Sequence, residues 1–375
     1  MLSYTSAVMI ALDATPLTIS TGGVARYTLE LACALARRFP NHTYWLMSDR
    51  PFPMPDSCPV NLRRGSGPRG FLERRWWLWG VSREMMRRGV RLFHGTDFSV
   101  PYLPLRPSVM TVHDLSPWPG PPGIAEGWQP GAHRVRRRTP MLLRARIPSA
   151  VITPTEAIRR AVIDRFDFPA ARVVAVPLAA SEHFRPVSCA PPATPYFLFV
   201  GTLEPRKNIP LLMDAWREVQ KSKGRVIDLV IAGRTRSDFP PLPPEPGLRI
   251  IGAVPEEDLP ALYSNALAVI YPSLYEGFGL PVLEAMQCGA IVVASRDPAI
   301  VEVAGDGAIL VDATGANAPR GLADALASIA RSPEAFAPLR ERALSRARQF
   351  SWRRTAELTQ DVYDAALRLK TPPEK

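Results

Sequence analysis

Two carboxylates separated by seven residues give the first lead to chemistry. Glu276 and Glu284 bracket the run Gly277-Phe-Gly-Leu-Pro-Val-Leu283. The wider segment Tyr271–Met286 reads as a buried strand, a Gly-bearing loop and a helix with Pro281 in its first turn. A helix start presents unpaired N–H groups and a partial positive charge. Gly277 and Gly279 keep side chains away from the place where a phosphate would approach the backbone. A carboxylate on either side can accept hydrogen bonds from sugar hydroxyls while the amides between hold a diphosphate. A solvated capping glutamate would explain one Glu and one Gly, but not both pairs.

The second lead is the dipeptide Arg206-Lys207, directly after the strand-like run Tyr196–Val200 and the turn Gly201–Thr202. That context favours an anion site over a solvated basic loop. The third is His113-Asp114, which ends the apolar run Val109–Val112. Open α/β sheets place ligands at the carboxyl ends of their strands. His113 therefore reads as a ligand contact rather than a general base, and Asp114 as a residue that orients the loop. His94 ends another strand and reads equally well as structural or acceptor-side. No DxD motif and no His/Cys/Asp cluster with metal-ligand spacing is present, so metal-independent chemistry is expected.

The elements that must position these residues follow a βα rhythm. Val8–Leu12, Tyr44–Met47, Leu92–His94, Ser108–Val112 and Ala150–Thr153 read as short buried strands, with a helix over Ala25–Arg38. After a Pro-rich stretch at Ser188–Thr194 the rhythm restarts. Strands are expected at Tyr196–Val200, Val226–Ala232, Leu248–Ile251, Ala268–Tyr271 and Ala290–Ala294, and helices at Asp214–Gln220, Glu257–Ala266 and Pro281–Gln287. The expected architecture is α/β, with two parallel sheets flanked by helices. Its domains are 1–190 and 191–351, and a long helical tail runs from Gly321 to Leu369. The last part of that tail, about 352–375, is expected to cross back to the first domain.

Composition bounds the partners. With 46% apolar and 22% charged residues the chain is of ordinary globular character. The 41 prolines cluster in candidate loops, among them Pro51–Pro59, Pro117–Pro122 and Pro240–Pro246. No apolar run approaches the ~20 residues of a membrane span, and with a strand-like run beginning at Val8 no signal peptide is expected. Cys33, Cys58, Cys189 and Cys288 are scattered, which suits a reduced, cytoplasmic chain. The net charge of +11 lies in the first half: residues 1–190 hold 25 Arg and no Lys against 13 acidic residues. Such a half suits nucleic acid, a membrane surface or a phosphorylated substrate, unless it only reflects an Arg-favouring genome. No nucleic-acid-reading motif is found, and nucleic acid is not expected as a partner. The segment Arg69–Arg88 mixes Trp76, Trp77 and Trp79 with arginines, and Arg134–Arg146 adds a second basic stretch. Two readings stand for the first segment: an anionic membrane interface, or a helix whose tryptophans pack in the core.

At these motifs the chain resembles the retaining glycosyltransferases of family 4, with their GT-B fold. Glu276-GFGLPVL-Glu284 is similar to that family's hallmark. Phe199–Asn208 resembles its donor-phosphate motif, and Ile251–Tyr263 its base-contacting loop and following helix. Gly289–Ser295 and Gly305–Val311 continue the likeness. In the first half it is patchier: Thr21–Tyr27, Thr111–Leu115 and Thr153–Glu156. The resemblance implies two Rossmann-like domains facing a cleft. It implies that Arg206 and Lys207 neutralise the donor diphosphate, that Glu284 binds the ribose, and that Glu276 binds the transferred sugar. The amides of Phe278, Gly279 and Leu280 would help, with Gly277, Gly201 and Val254 also on the donor side. Gly22 and Gly23 would let the first helix approach the phosphate, and His113 would face the sugar across the cleft. Two positions depart from the pattern: Thr155 stands for a Ser and Ala179 for a Gly.

The implied activity is transfer of a hexose with retention from a nucleotide-sugar donor, with no cofactor. Resemblance to bacterial O-antigen and exopolysaccharide enzymes points to mannose from GDP-mannose; a UDP-sugar donor is the alternative. The implied acceptor is a glycan or a polyprenyl-diphosphate-linked glycan, reached from the cytoplasm or from the inner face of the cytoplasmic membrane.

Overall fold

The computed structural model describes residues 7–19, 22–118, 133–188, 190–221 and 226–369. Thr21, Cys189, part of the proline cluster at 117–122, and residues 370–375 lie outside the described residues. The chain forms two compact units.

The first unit is built on seven strands: β1 (Met9–Asp13), β2 (Thr43–Met47), β3 (Leu62–Arg64), β4 (Leu92–Gly95), β5 (Ser108–Thr111), β6 (Ala150–Thr153) and β7 (Val173–Ala175). They pair in the order β3-β2-β1-β4-β5-β6-β7, all parallel. Strands β4, β5 and β6 are buried along their whole length, as expected for a parallel sheet covered on both faces. The helices are α1 (Gly23–Arg38), α2 (Val81–Arg88), α3 (His133–Arg144) and α4 (Glu156–Phe166). Thr155 caps α4 by accepting from the amide of Ile158, so the departure from Ser keeps the hydroxyl that the helix start needs.

The second unit repeats the pattern with β8 (Tyr196–Val200), β9 (Asp228–Ala232), β10 (Leu248–Gly252), β11 (Ala268–Tyr271), β12 (Val292–Ser295) and β13 (Ile309–Val311). Their order is β10-β9-β8-β11-β12-β13, again all parallel. Its helices are α5 (Ile209–Lys221), α6 (Leu259–Asn265), α7 (Leu280–Gln287), α8 (Pro298–Ala304), α9 (Ala318–Arg331) and α10 (Ala337–Ala347). Both sheets show the doubly wound order in which the chain reverses direction beside the first strand of the sheet.

Three expectations are corrected. The units divide between Leu178 and Ala179, not near residue 190. The cause is that residues 179–188 pack into the second unit: Phe184 sits edge-on to Tyr263, and Gln287 donates to the carbonyl of Ser181. The helical tail is three helices, not one. Ser332-Pro333 ends α9, and Ser351 starts a new helix, α11 (Trp352–Arg368), by accepting from the amide of Arg354. Helices α9 and α10 stay with the second unit, whereas α11 belongs to the first, against α1, β5 and β6. Strands β3, β7 and β13 were not foreseen, because three residues are too few to show a pattern. The cysteines are less scattered than their spacing suggests: the Sγ atoms of Cys33 and Cys58 lie 3.7 Å apart.

Inside the first unit the two readings of the Trp/Arg segment separate residue by residue. Trp76 is buried with Trp45, Met85 and Phe93, and Trp77 packs edge-on against Phe93. Buried Glu84 pairs with Arg87 and Arg88, and Glu73 with Arg87. Phe71, Leu72 and Trp79 remain exposed, Phe71 by 79%.

Candidate active site

The loops after β8 and β11 carry the charged residues. These two strands are neighbours in the sheet, and the chain leaves β8 for β9 on one side and returns at β11 on the other. Their carboxyl ends therefore flank the point where the sheet opens a crevice. After β8 the chain passes Gly201 and forms a tight turn over Pro205–Lys207. Asn208 closes this turn at φ 54°, a conformation Asn tolerates, and its amide donates to the carbonyl of Ala313. The amide of Leu274 donates to the carbonyl of Arg206, which ties the two loops together.

Within this frame three of the expected residues meet. Glu276 takes Arg206 on one carboxylate oxygen and Lys207 on the other, each at 2.6 Å. Both Glu276 and Lys207 are only 5% exposed. Lys207 also donates to the Tyr271 hydroxyl and lies over its ring. Burial pushes the Glu276 carboxyl up, but the Arg206 and Lys207 charges outweigh it and hold it down at about 2. Burial, aided by the Arg206 charge, lowers the Lys207 ammonium against the pull of Glu276. Glu276, expected to meet the sugar, and Arg206 and Lys207, expected to meet the diphosphate, thus form one ion-paired cluster.

Several members of the cluster were not foreseen. Glu204 pairs with Arg206 at 2.6 Å and with Arg236 at 3.0 Å. Glu204 stands inside the Gly201–Asn208 motif, and Arg236 follows the carboxyl end of β9, so strand-end position could have flagged both. Asp297 receives the amide of Glu276 at 3.4 Å and caps α8 through Ala299 and Ile300. Burial raises its carboxyl to about 6. An Asp before a Pro at a helix start is a readable capping signal.

Glu284 lies one turn into α7, buried, and accepts from the Tyr263 hydroxyl at 2.9 Å. Gly279 caps this helix at φ 90°, and a Cβ there would lie 2.5 Å from the Ile300 Cδ1. The need for glycine at 279 therefore comes from backbone conformation and packing within the protein as well as from any ligand. The tight position beside Gly201 is Gly233, where a Cβ would lie 1.8 Å from the Gly201 carbonyl; a Cβ at Gly201 itself would meet Phe199 at 3.4 Å. Phe278 packs its ring on Phe350, Leu280 opens α7, and Gly277 lies in the loop between Glu276 and the helix. Val254 is half-buried in the loop after β10 and joins none of these contacts.

The remaining candidates belong to the first unit. Gly22 and Gly23 are exposed at the start of α1. The His113 Nε2 bonds the carbonyl of Thr96 at 2.7 Å, and its ring packs edge-on to Tyr27. A carbonyl only accepts, so Nε2 carries the proton and Nδ1 is left as the acceptor. His94 is structural: both ring nitrogens are bonded, to the Tyr363 hydroxyl of α11 and to Thr111. Burial lowers its imidazole to about 3, so it stays neutral. Among the described residues no three His, Cys, Asp or Glu side chains converge as a metal site.

Comparison with known proteins then decides the family. Residues 21–181 match the family described as Glycosyltransferase Family 4, and residues 181–350 match Glycosyl transferases group 1. O-antigen chain mannosyltransferase B of Escherichia coli is 33% identical over 297 residues, 72% of this chain and 74% of that protein. The chain belongs to this glycosyltransferase family. The serotype-specific mannosyltransferase WbdA of Escherichia coli is 28% identical over 240 residues, 58% of this chain but 29% of WbdA. Among solved structures, HepE of Anabaena in complex with UDP and glucose aligns with a TM-score of 0.64 at 17% identity, covering 95% of this chain and 98% of that one. Sucrose-phosphate synthase of Thermosynechococcus elongatus aligns at 0.69 and 20% identity, covering 97% and 100%. These structures share the fold, two Rossmann-like domains of GT-B type, and the chain is a glycosyltransferase enzyme of polysaccharide-building kin.

Proposed function

We propose that the cluster of Arg206, Lys207 and Glu276 binds a nucleotide-sugar donor, and that the enzyme transfers a hexose with retention to a glycan acceptor. The observation that carries this reading is the pair of cations after β8, Lys207 buried and Arg206 half-buried, with Glu276 after β11 as their counter-ion. The donor diphosphate takes the place of Glu276 beside Arg206 and Lys207. Glu276 then accepts from hydroxyls of the transferred sugar, aided by the amides at Phe278, Gly279 and Leu280. Glu284, oriented by Tyr263, accepts from the ribose hydroxyls. As the anomeric bond breaks, the two cations stabilise the charge gathering on the leaving diphosphate, and this is where they accelerate the step. The acceptor hydroxyl attacks from the face the diphosphate leaves, and the leaving phosphate takes its proton. No metal ion is required in this scheme.

The likeness to O-antigen mannosyltransferase B supports mannose from GDP-mannose, and polysaccharide assembly as the setting. A lipid-diphosphate-linked glycan is the acceptor this setting implies. The exposed Phe71, Leu72 and Trp79 beside Arg74, Arg75 and Arg83 support peripheral docking on an anionic membrane from the cytoplasmic side. No helix of the described residues is long and apolar enough to cross one.

Thermal-shift titration with UDP, GDP, ADP and their sugars tests the donor. A large shift with GDP and GDP-mannose is expected; a larger one with UDP would move the donor to a UDP-sugar, and none with any would remove the assignment. Arg206→Ala should lower kcat more than donor affinity, whereas Glu284→Ala should mainly lose donor affinity. Flotation with anionic vesicles tests the docking, and absence from the lipid fraction would exclude it.

A further inference from the structure

A second feature of the first unit is not used by the transfer chemistry. A cleft of about 860 Å³ opens beside α3 and the end of α4. Its floor is apolar: the rings of Trp118 and Phe166 meet edge-on at 5.1 Å. Among the described residues its walls carry four arginines, Arg136, Arg137, Arg144 and Arg165, and no carboxylate.

The sequence of α3 explains the arrangement. Arg137, Met141 and Arg144 stand at i, i+4 and i+7, so they share one face of the helix, and the two arginines lie about 10 Å apart along its axis. All three are exposed. Arg136 is used differently: its guanidinium donates to the carbonyl of Pro117, and its carbonyl receives the Trp118 indole. It fixes the wall to the floor. Arg144 and Arg165 sit in the last turns of their helices, where the helix dipole alone favours a cation. Arg137 is in mid-helix, where no dipole accounts for it. Buried Thr139 on the opposite face of α3 donates to the carbonyl of Phe98, so the rotation of the helix that presents Arg137, Met141 and Arg144 outward is fixed.

Arginine forks recognise phosphate through paired charge-assisted hydrogen bonds. Aromatic and thioether surface between them suits hydrocarbon. A free sugar would leave the charge unused. The cleft is open to solvent, and its volume gives room for a small ligand rather than a lone ion. We propose that this cleft binds a phosphate-headed amphiphile, with the arginines on a mono- or diphosphate and the Trp118–Phe166–Met141 surface on the first carbons of its chain. Its described lining residues all belong to the first unit, and the site does not depend on the donor assignment.

Isothermal titration of the full chain tests it, using farnesyl diphosphate, inorganic pyrophosphate and farnesol as probes, with the best-binding nucleotide present to fill the donor site. Farnesyl diphosphate should bind at least tenfold more tightly than pyrophosphate, and farnesol not measurably. The double variant Arg137→Gln/Arg144→Gln should weaken farnesyl diphosphate tenfold or more while leaving the nucleotide thermal shift unchanged. The single variant Arg137→Gln, free of any helix-end effect, should show a smaller loss in the same direction. Unchanged affinity in both variants would overturn the proposal. Equal binding of pyrophosphate and farnesyl diphosphate would make this a bare diphosphate site and overturn the amphiphile. Loss of binding in Arg206→Ala instead would place the probe in the donor site. Failure of every nucleotide to bind would remove the donor reading without touching this one.

Discussion

Neutralising Glu276 is the sharpest perturbation the structure offers. In Glu276→Gln the shape is kept and the charge is lost. Arg206 retains Glu204 at 2.6 Å, so the cation left without a carboxylate is Lys207, buried beside Tyr271. Removing one partner of a buried pair costs about 3–5 kcal/mol. With a single orphaned cation the lower end, about 3 kcal/mol, is expected. A domain of this size moves its midpoint by roughly 2–4 °C per kcal/mol, so the unfolding transition of the second unit should fall by about 6–12 °C. The loss should depend on pH in a defined sense. Burial already lowers the Lys207 ammonium, and Glu276, with a smaller pull from Glu204, holds it up. Without Glu276 the folded state binds that proton more weakly than the unfolded chain does, so stability rises with pH. The gap between wild type and variant should therefore narrow as pH climbs from 7 toward the ordinary lysine value of about 10.4. A nucleoside diphosphate should stabilise the variant at least as much as the wild type, because no ion pair must be broken to admit it. Transfer should fall by about a hundredfold or more, about 3 kcal/mol of transition-state stabilisation. Scanning calorimetry across pH and a transfer assay read all of this. Wild-type stability in the variant, or a nucleotide shift that vanishes with the carboxylate, would refute the reasoning.

Other outcomes follow from single contacts. Tyr263→Phe removes the hydroxyl that donates to buried Glu284 and should cost about 1–3 kcal/mol in urea unfolding, with a raised donor KM. Gly279→Ala forces a Cβ into φ 90° and against Ile300. It should cost about 2 kcal/mol or more, and a second change, Ile300→Ala, should recover part of the loss in melting temperature. Asp297 has its carboxyl raised from 3.8 to about 6 by burial. Its contribution is thus complete below pH 4 and lost as pH rises through 6, up to about 3 kcal/mol. Asp297→Asn, which keeps an oxygen for the α8 cap, should flatten the stability profile between pH 4 and 6; an unchanged slope there would show that the carboxyl is not buried as described.

Legibility in the sequence tracked the range of the interaction. The strands β8 and β11, the loop glycines and the helix start at Leu280–Pro281 were readable because apolar runs, Gly and Pro act on their own neighbours. In the tail, helical periodicity persists across Ser332–Pro333 and Phe350–Ser351, and only the caps reveal the breaks. The division at Leu178 was missed because composition changes at residue 190, whereas packing by Phe184 decides where the chain changes unit. His94 could be read two ways because its partner Tyr363 is 269 residues away.

By itself, then, the sequence determined that two βα series exist, that Arg206, Lys207, Glu276 and Glu284 stand at strand and helix ends, and which family motifs they compose. It could do so because each of those properties is a local pattern. Tertiary structure alone decided that Lys207 and Glu276, 69 residues apart, form one buried ion pair. It also recruited Glu204, Arg236 and Asp297 to that pair, buried Trp76 while leaving Phe71 exposed, and lined a separate cleft with arginines. The physical reason is strand order. Sheet pairing sets β8 beside β11 across the intervening β9 and β10, and a charge finds its counter-charge only once those strands are side by side.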